Sequence, residues 1–271
     1  MFQVDDTKCI GCGLCIKDCF VKDIDFVGGK AKIKNIRCFK CGHCIAVCPV
    51  GAVFTNDYNM DDVIEYKKDE FSINPDNLLN FIKFERTIRH FKSKDIEDDK
   101  ILKIIEAGRF TQTASNAQNV NYVVVKKEIQ EVRKIILETL NELGKYVLEN
   151  SENLLYKRYA KMWIKMYNDF ILDPLGEDNL FFKAPVLIIV TSEHILNAGL
   201  ASANMKLMID ALGLGTVFSG FFTRACENNP KIKAFLGIED NQNIVTCMVI
   251  GYPDIKYSRT VPRKEANIIW K

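Results

Sequence analysis

The chain has 271 residues, more than a single domain usually contains, and this length predicts two domains. Hydrophobic residues make up 48% and charged residues 27%, a composition typical of globular proteins rather than disordered or membrane-spanning ones. The 37 lysines and arginines nearly balance the 35 aspartates and glutamates, which gives no support to a nucleic-acid or anionic-membrane partner. The amino end, M-F-Q-V-D-D-T-K, lacks the pattern of a signal peptide, and no apolar run is long enough to cross a bilayer. We therefore predict a cytoplasmic protein.

Two cysteine-rich segments open the chain, C-I-G-C-G-L-C-I-K-D-C at 9–19 and C-F-K-C-G-H-C-I-A-V-C at 38–48. Every cysteine of the first segment recurs 29 residues later, and a fixed offset at four positions marks an internal repeat. In a reducing compartment, cysteines at this density predict metal binding rather than disulfides.

The spacing C-x2-C-x2-C-x3-C is that of bacterial ferredoxins, in which three thiolates hold one iron–sulfur cluster and the fourth reaches the other cluster. A short loop can wrap three iron corners of a [4Fe–4S] cluster but not the fourth, so a thiolate from the other repeat completes each site. The ligands predicted for the first cluster are Cys9, Cys12, Cys15 and Cys48. Those predicted for the second cluster are Cys38, Cys41, Cys44 and Cys19.

Zinc is the competing interpretation, but zinc sites usually show two C-x2-C pairs separated by a long gap rather than triples with a trailing cysteine. His43 lies inside the second loop and is interpreted as a surface residue rather than a ligand. Residues 1–56 therefore resemble a bacterial two-cluster ferredoxin domain. Phe20 stands where the second repeat has Pro49, a departure that removes no ligand.

Between the repeats, I-D-F-V-G-G-K-A-K-I predicts a hairpin in which Gly28 and Gly29 supply the positive φ of a tight turn. After the repeats, residues 56–74 are polar and charge-mixed, and we place a linker at 57–79. Asn74 followed by Pro75 predicts the start of a helix.

We place the second domain at residues 80–271. Its first motif is R-T-I-R-H-F at 86–91. Helical periodicity, apolar runs and turn residues predict the elements that follow it. They are a helix at 97–107 stopped by Gly108, a polar loop at 111–119, a strand at 122–125, a helix at 128–148, a strand at 186–191, a helix at 198–211 and a strand at 244–253. The aromatic stretch 156–167 predicts a further helix, which packs on a dimer or, alternatively, walls a substrate pocket.

This order of elements resembles the nitroreductase family of flavoproteins, which bind FMN between the subunits of a homodimer. Four motifs carry the resemblance: R-T-I-R-H-F, T-A-S-N-A-Q-N at 113–119, G-L-G-T-V-F-S-G at 213–220, and I-G-Y-P at 250–253 with Arg263 downstream. The usual prolines of the second motif are here Gln112 and Asn119. The resemblance implies an α+β fold class: a small ferredoxin-like domain, then a dimeric domain with a central, mainly antiparallel sheet flanked by helices.

The resemblance also implies which residues bind FMN. The phosphate is a dianion and arginine offers a rigid fork of donors, so Arg86, Arg89 and Arg263 form the expected clamp, aided by Thr87. Backbone N–H groups at Ser219 and Gly220 are expected to approach the reactive N5 edge. The remaining expected cofactor residues, some of them reaching across the dimer, are Thr113, Ala114, Asn116, Gln118 and Lys264. The alternative is that these are ordinary loop and surface residues.

Three other features carry no predicted chemistry. His194 follows a strand and is interpreted as structural, whereas Cys226 and Cys247 lie outside the repeat and resemble ordinary buried thiols. No G-x-G-x-x-G opens a helix after a strand, so the dinucleotide fingerprint is missing.

The two halves together predict a converter between one-electron and two-electron chemistry. An external low-potential donor such as ferredoxin charges the clusters, which reduce FMN, and hydride then passes to a small nitroaromatic- or quinone-like acceptor. Because the cofactor carries the hydride, we assign no catalytic side chain. The alternatives are a relay module that passes charge to a protein partner, and flavin-destroying or dehalogenating chemistry, which no clear lid insertion encourages.

Overall fold

The computed structural model describes all 271 residues and divides into two compact units. Unit 1 comprises Met1–Asn74 and Thr113–Ala117, and unit 2 comprises Pro75–Gln112 and Gln118–Lys271. None of the helices combines the length and the apolar character needed to span a bilayer.

Unit 1 contains two antiparallel strand pairs and short helices. Its strands are β1 Phe2–Val4, β2 Ile24–Val27, β3 Lys30–Ile33 and β4 Val53–Thr55, paired β1 with β4 and β2 with β3. Its helices are α1 Leu14–Asp18, α2 His43–Ala46 and α3 Lys68–Phe71, with 3-10 turns at Met60–Asp62 and Ala114–Asn116. The β2–β3 pair confirms the predicted hairpin, because Gly28 and Gly29 adopt φ values of 55° and 80°.

Cysteine side chains form much of the core of unit 1. Buried Cys9 and Cys15 pack with Ile24, Ala31 and Ala52, and half-buried cysteines of both repeats pack against this cluster. So few aliphatic side chains bury little area, and a domain this small needs a further source of stability.

Unit 2 is built on a four-stranded antiparallel sheet. Its strands are β5 Val120–Val125, β6 Val186–Ser192, β7 Gly215–Phe218 and β8 Asn243–Gly251, in the order β5-β6-β8-β7. Its helices are α4 Pro75–Phe84, α5 Asp98–Arg109, α6 Ile129–Asn150, α7 Leu154–Leu172, α8 Ile195–Ala211, α9 Gly220–Asn228 and α10 Lys231–Phe235. The predicted helix start at Pro75 is confirmed.

Helices cover both faces of this sheet, and every residue of β6 is buried. Leu187 and Ile189 pack in a core shared with α6, α7, α9 and α10. Val186, Ile188 and Val190 pack in a second core with α5 and α8. This alternation follows from the two-residue period of a strand, and the layered arrangement confirms the predicted fold class.

Gly108 does not stop the helix at 107 as predicted, because α5 continues through it to Arg109. A Cβ at Gly108 would lie 2.6 Å from the Tyr122 hydroxyl and 2.9 Å from Met205 Sδ. The glycine therefore permits close packing of α5, which a local helix-stop rule does not consider.

The sequence pattern also missed a buried ion pair on α6. Arg133 Nε lies 3.1 Å from Asp178 Oδ1 in ion-pair rather than hydrogen-bond geometry, and both side chains are almost fully buried. The guanidinium also donates to the carbonyls of Pro174 and Glu177, while Asp178 accepts N–H bonds from Leu180 and Phe181. These bonds hold the loop before β6 on the helix.

Gly215→Ala is expected to destabilise unit 2 by about 1–3 kcal/mol, because overpacking a well-filled core costs that much. A Cβ at Gly215 would lie 2.5 Å from Ile88 Cγ1. Urea unfolding followed by tryptophan fluorescence measures the effect, since both tryptophans, Trp163 and Trp270, belong to unit 2. Gly199→Ala is the control, because a Cβ there meets no atom within 4 Å. A Gly215→Ala midpoint equal to that of the unmodified chain would contradict this account.

Candidate functional site

The first predicted set of cysteines surrounds one cavity in unit 1. Cys9, Cys12, Cys15 and Cys48 all line it, together with apolar residues such as Val4. Nowhere do three or more His, Cys, Asp or Glu side chains converge closely enough to hold a single metal ion. Thiols arranged around a cavity, rather than on a point, fit a polynuclear group.

Three cysteines of the second set lie close together. Cys38 and Cys41 lie close enough to Cys44 to add to the rise of its pKa, which burial raises to about 12. Burial likewise raises the pKa of the Cys15 thiol. Iron coordination reverses this tendency, since a metal ion deprotonates the thiol that binds it.

Backbone N–H groups donate to the sulfurs at matching places in the two repeats. Asp23 N donates to Cys19 Sγ at 3.4 Å, and Ala52 N donates to Cys48 Sγ at 3.2 Å. Hydrogen bonds to the sulfurs are one of the factors that set the reduction potential of an iron–sulfur cluster. The trailing cysteine of each repeat is therefore held by a bond from the residue four positions later.

Left-handed backbone shapes both cysteine loops. Gly13 and Gly42 precede α1 and α2 with φ values of 73° and 75°. At the equivalent loop positions, Gly11 has φ 69° and Lys40 has φ 55°. A Cβ at Gly11 would collide with the carbonyl oxygen of Gly29, so the first loop requires glycine where the second accepts lysine.

His43, His194 and the remaining cysteines lie where the sequence placed them. His43 is largely exposed, with Nδ1 3.2 Å from Asp18 Oδ2. His194 precedes α8 as its capping residue. Cys226 and Cys247 belong to the core of unit 2, where burial raises the pKa of Cys226 to about 12.

In unit 2, three of the four motifs meet at the edge of the sheet. Ile88 N donates to Thr216 O at 3.0 Å, and Thr87 pairs with Thr216 in a parallel bridge. Phe91 pairs with Pro253 in an antiparallel bridge. The segment 86–91 therefore lies along β7 and reaches the end of β8.

Two of the hydrogen-bond donor atoms of Arg86 have no acceptor. Its Nη1 donates to the carbonyls of Lys83 and Glu85, whereas Nε and Nη2 are buried and have no hydrogen-bond partner. Buried donors are normally satisfied, so this guanidinium fits an anion with two acceptor oxygens. Thr87 and Arg89 are exposed beside it in sequence.

Ser219 and Gly220 differ in whether their backbone N–H groups can bind a ligand. Ser219 N donates to Cys247 O at 2.8 Å. This N–H group is therefore already used within the sheet and does not approach a ligand as expected. Ser219 Oγ accepts from Phe222 N and caps α9. Gly220 is the first residue of α9, where N–H groups have no acceptor within the helix.

The other expected cofactor residues are dispersed. Thr113, Ala114 and Asn116 belong to unit 1, whereas Gln118 belongs to unit 2. Ser115, Asn116 and Gln118 all have positive φ, a conformation uncommon for residues other than glycine. Arg263 and Lys264 lie exposed in a carboxy-terminal stretch that forms no helix or strand.

Sequence reasoning missed a cavity of about 380 Å³ in unit 2. Glu85 and Lys206 line it, with Lys206 Nζ 3.4 Å from Glu85 Oε2 and also bonded to Asp210. Glu85 Oε1 is buried without a partner, and burial raises the pKa of Asp210. The available signal was the spacing G-x-x-S-A-x-x-K at 199–206, which places small residues and one lysine on a single helix face.

The predicted aromatic helix is confirmed as part of α7. Tyr159 and Trp163 stack with ring centroids 6.4 Å apart, and Phe221 meets the Trp163 ring edge-on at 5.7 Å. Trp163 Nε1 is buried and has no hydrogen-bond partner. Because Phe221 follows Gly220 in the chain, this aromatic group lies next to the start of α9.

Comparison with known proteins agrees with both halves of the chain. The family model described as "Nitroreductase family" matches residues 82–252, and the "4Fe-4S dicluster domain" model matches residues 1–57. The second match confirms the expectation of two [4Fe–4S] clusters over a zinc site.

The sequence identity between this chain and individual proteins is low. NADPH-dependent oxidoreductases of Staphylococcus aureus strains are 23% identical over 181 residues, 66% of this chain. The chain spans 65% of the length of those relatives. A nitroreductase with bound FMN from Bacteroides fragilis NCTC 9343 is 22% identical, with a TM-score of 0.52 over 73% of this chain and 100% of its own. A BluB-like flavoprotein from Clostridium difficile 630 is 19% identical, with a TM-score of 0.53 over 70% and 94%. These structures share the fold.

Cys12→Ser and Cys41→Ser, at equivalent exposed positions of the two repeats, are each expected to remove about half of the bound iron and sulfide, since each thiolate serves one cluster. Iron and sulfide analysis of anaerobically purified protein measures the loss. Cys226→Ser is the control and is expected to keep the full content. Unchanged iron in both repeat variants would contradict the ligand assignment.

Proposed function

The chain belongs to the nitroreductase family, and from that premise we propose that it is an iron–sulfur flavoprotein oxidoreductase. It carries electrons from two [4Fe–4S] clusters through FMN to a small organic acceptor, with nitroaromatics and quinones the favoured classes. The observation that carries the FMN assignment is the pair of buried, unpartnered donors of Arg86 beside β7. The bound FMN of the Bacteroides fragilis nitroreductase supports the same assignment.

When bound, FMN supplies the conversion between one-electron and two-electron chemistry. Arg86 binds the phosphate through Nε and Nη2, and the exposed Arg89, Thr87 and Arg263 complete the clamp. Gly220 presents the N–H groups at the start of α9 toward the N5 edge. The cavity lined by Glu85 and Lys206 offers the space in which the cofactor or acceptor is oriented.

We also propose that the chain forms a homodimer through unit 2. Helix α8 exposes apolar side chains, with Ile195 66% and Leu196 72% accessible. Exposed apolar residues grouped on one helix favour contact with a second copy. Thr113, Ala114, Asn116, Gln118 and Lys264 complete the cofactor residues, some of them from the partner.

Arg86→Ala is expected to weaken FMN binding roughly 100-fold, because charge-assisted hydrogen bonds contribute about 1.5–3 kcal/mol each. Flavin absorbance and iron content per chain measure the two cofactors separately, and the iron content is expected to stay unchanged. Arg224→Ala removes an exposed arginine paired with Glu227 and serves as the control. Full flavin content in Arg86→Ala would refute the phosphate assignment.

Reduced ferredoxin is expected to reduce the bound flavin faster than NADPH, because the clusters accept single electrons and the sequence lacks a dinucleotide fingerprint. Stopped-flow absorbance under anaerobic conditions compares the two donors. Rapid flavin bleaching by NADPH alone would overturn this order and would align the chain with its Staphylococcus aureus relatives. Addition of a nitroaromatic or quinone then separates an enzyme, which turns over, from a relay module, which does not.

A further inference from the structure

One segment of unit 1 is bonded directly to the loop that carries the second set of cysteines. Thr113–Ala117 belongs to unit 1. Within it, Asn116 Nδ2 donates to Phe39 O at 3.1 Å and to Lys40 O at 3.0 Å. Both carbonyls lie between Cys38 and Cys41, so one amide group bridges two successive peptide units of that loop.

The backbone on both sides of these bonds is held in an uncommon conformation. Ser115 and Asn116 have φ values of 51° and 54°, and Lys40 has φ 55°. Left-handed residues other than glycine persist where the surroundings determine them, and they cluster at ligand sites and clamps. Asparagine tolerates this conformation better than most residues.

The bonded loop is in turn connected to a ligand sulfur. Lys40 N donates to Cys38 Sγ at 3.4 Å, and Lys40 Nζ forms an ion pair with Asp57 at 3.0 Å. A change at the Phe39 and Lys40 carbonyls therefore reaches the Cys38 sulfur through one peptide unit. Hydrogen bonds of this kind tune a cluster from outside its ligand shell.

We propose that Asn116 is a positioning residue for the second cluster, held by Cys38, Cys41, Cys44 and Cys19. The inference rests on the part of the proposed function that places a [4Fe–4S] cluster on these four thiolates. Because one amide group bridges both peptide units between Cys38 and Cys41, its loss alters the surroundings of the second cluster and not those of the first.

Electron paramagnetic resonance of the dithionite-reduced full chain tests the assignment without turnover. Cys12→Ser and Cys41→Ser identify which reduced-cluster signal belongs to which repeat. Asn116→Ala is expected to shift the signal that Cys41→Ser abolishes and to leave the signal that Cys12→Ser abolishes unchanged. Ser115→Ala, the adjacent left-handed residue, is the matched control and is expected to shift neither.

A second variant addresses the two hydrogen bonds themselves. Asn116→Asp, which sets a carboxylate against the Phe39 and Lys40 carbonyls, is expected to shift the same signal at least as much as Asn116→Ala.

Two results would overturn the inference: Asn116→Ala that leaves both cluster signals unshifted, or Asn116→Ala that shifts only the signal belonging to the first repeat. The proposed function fails separately, because an unmodified chain that purifies anaerobically without FMN refutes it before any variant is made.

Discussion

The two-sided burial of β6 is the constraint on which the architecture of unit 2 depends. All seven of its residues are buried, and neighbouring side chains enter different cores. A slip of one residue would exchange the two faces, so the register of β6 against β8 and of β8 against β7 is strongly specified. That register determines where β7 ends, and therefore where Ser219 lies. It also determines that β7 is the edge strand to which Ile88 bonds. The candidate anion site at Arg86 is therefore a consequence of how the sheet is packed.

Unit 1 follows a different physical rule, because two of the five residues buried in its core cluster are cysteines. Buried thiols such as Cys15 resist ionisation, and the few aliphatic neighbours bury little area. Metal binding then supplies stability that packing does not, and it couples cluster assembly to folding. Because Cys48 lines the same cavity as Cys9, Cys12 and Cys15, a cluster held there would require both repeats to be in place. One-electron carriers and a two-electron cofactor are thus held by units that differ in what stabilises them.

The motifs located segments that the structure brings together, but they did not show which groups the fold itself would use. Segment 86–91 joins the sheet beside 213–220, but the Ser219 N–H is consumed by the sheet itself. Lys206 and Glu85, which no motif indicated, meet at a cavity wall. Arg133 is a charged residue buried on α6, because loop carbonyls and Asp178 satisfy its charge.

The amino-acid sequence by itself determined the cysteine repeat, the Gly28–Gly29 turn and the helix start at Pro75, because ligand spacing, positive φ and proline geometry act between residues close along the chain. It also indicated the family, since short motifs in a set order survive wide sequence change. Only the tertiary structure decided that Asn116 bonds to the carbonyls of Phe39 and Lys40, 77 and 76 residues away. Contacts at that separation depend on how packed elements meet, and no local pattern of residue types encodes them.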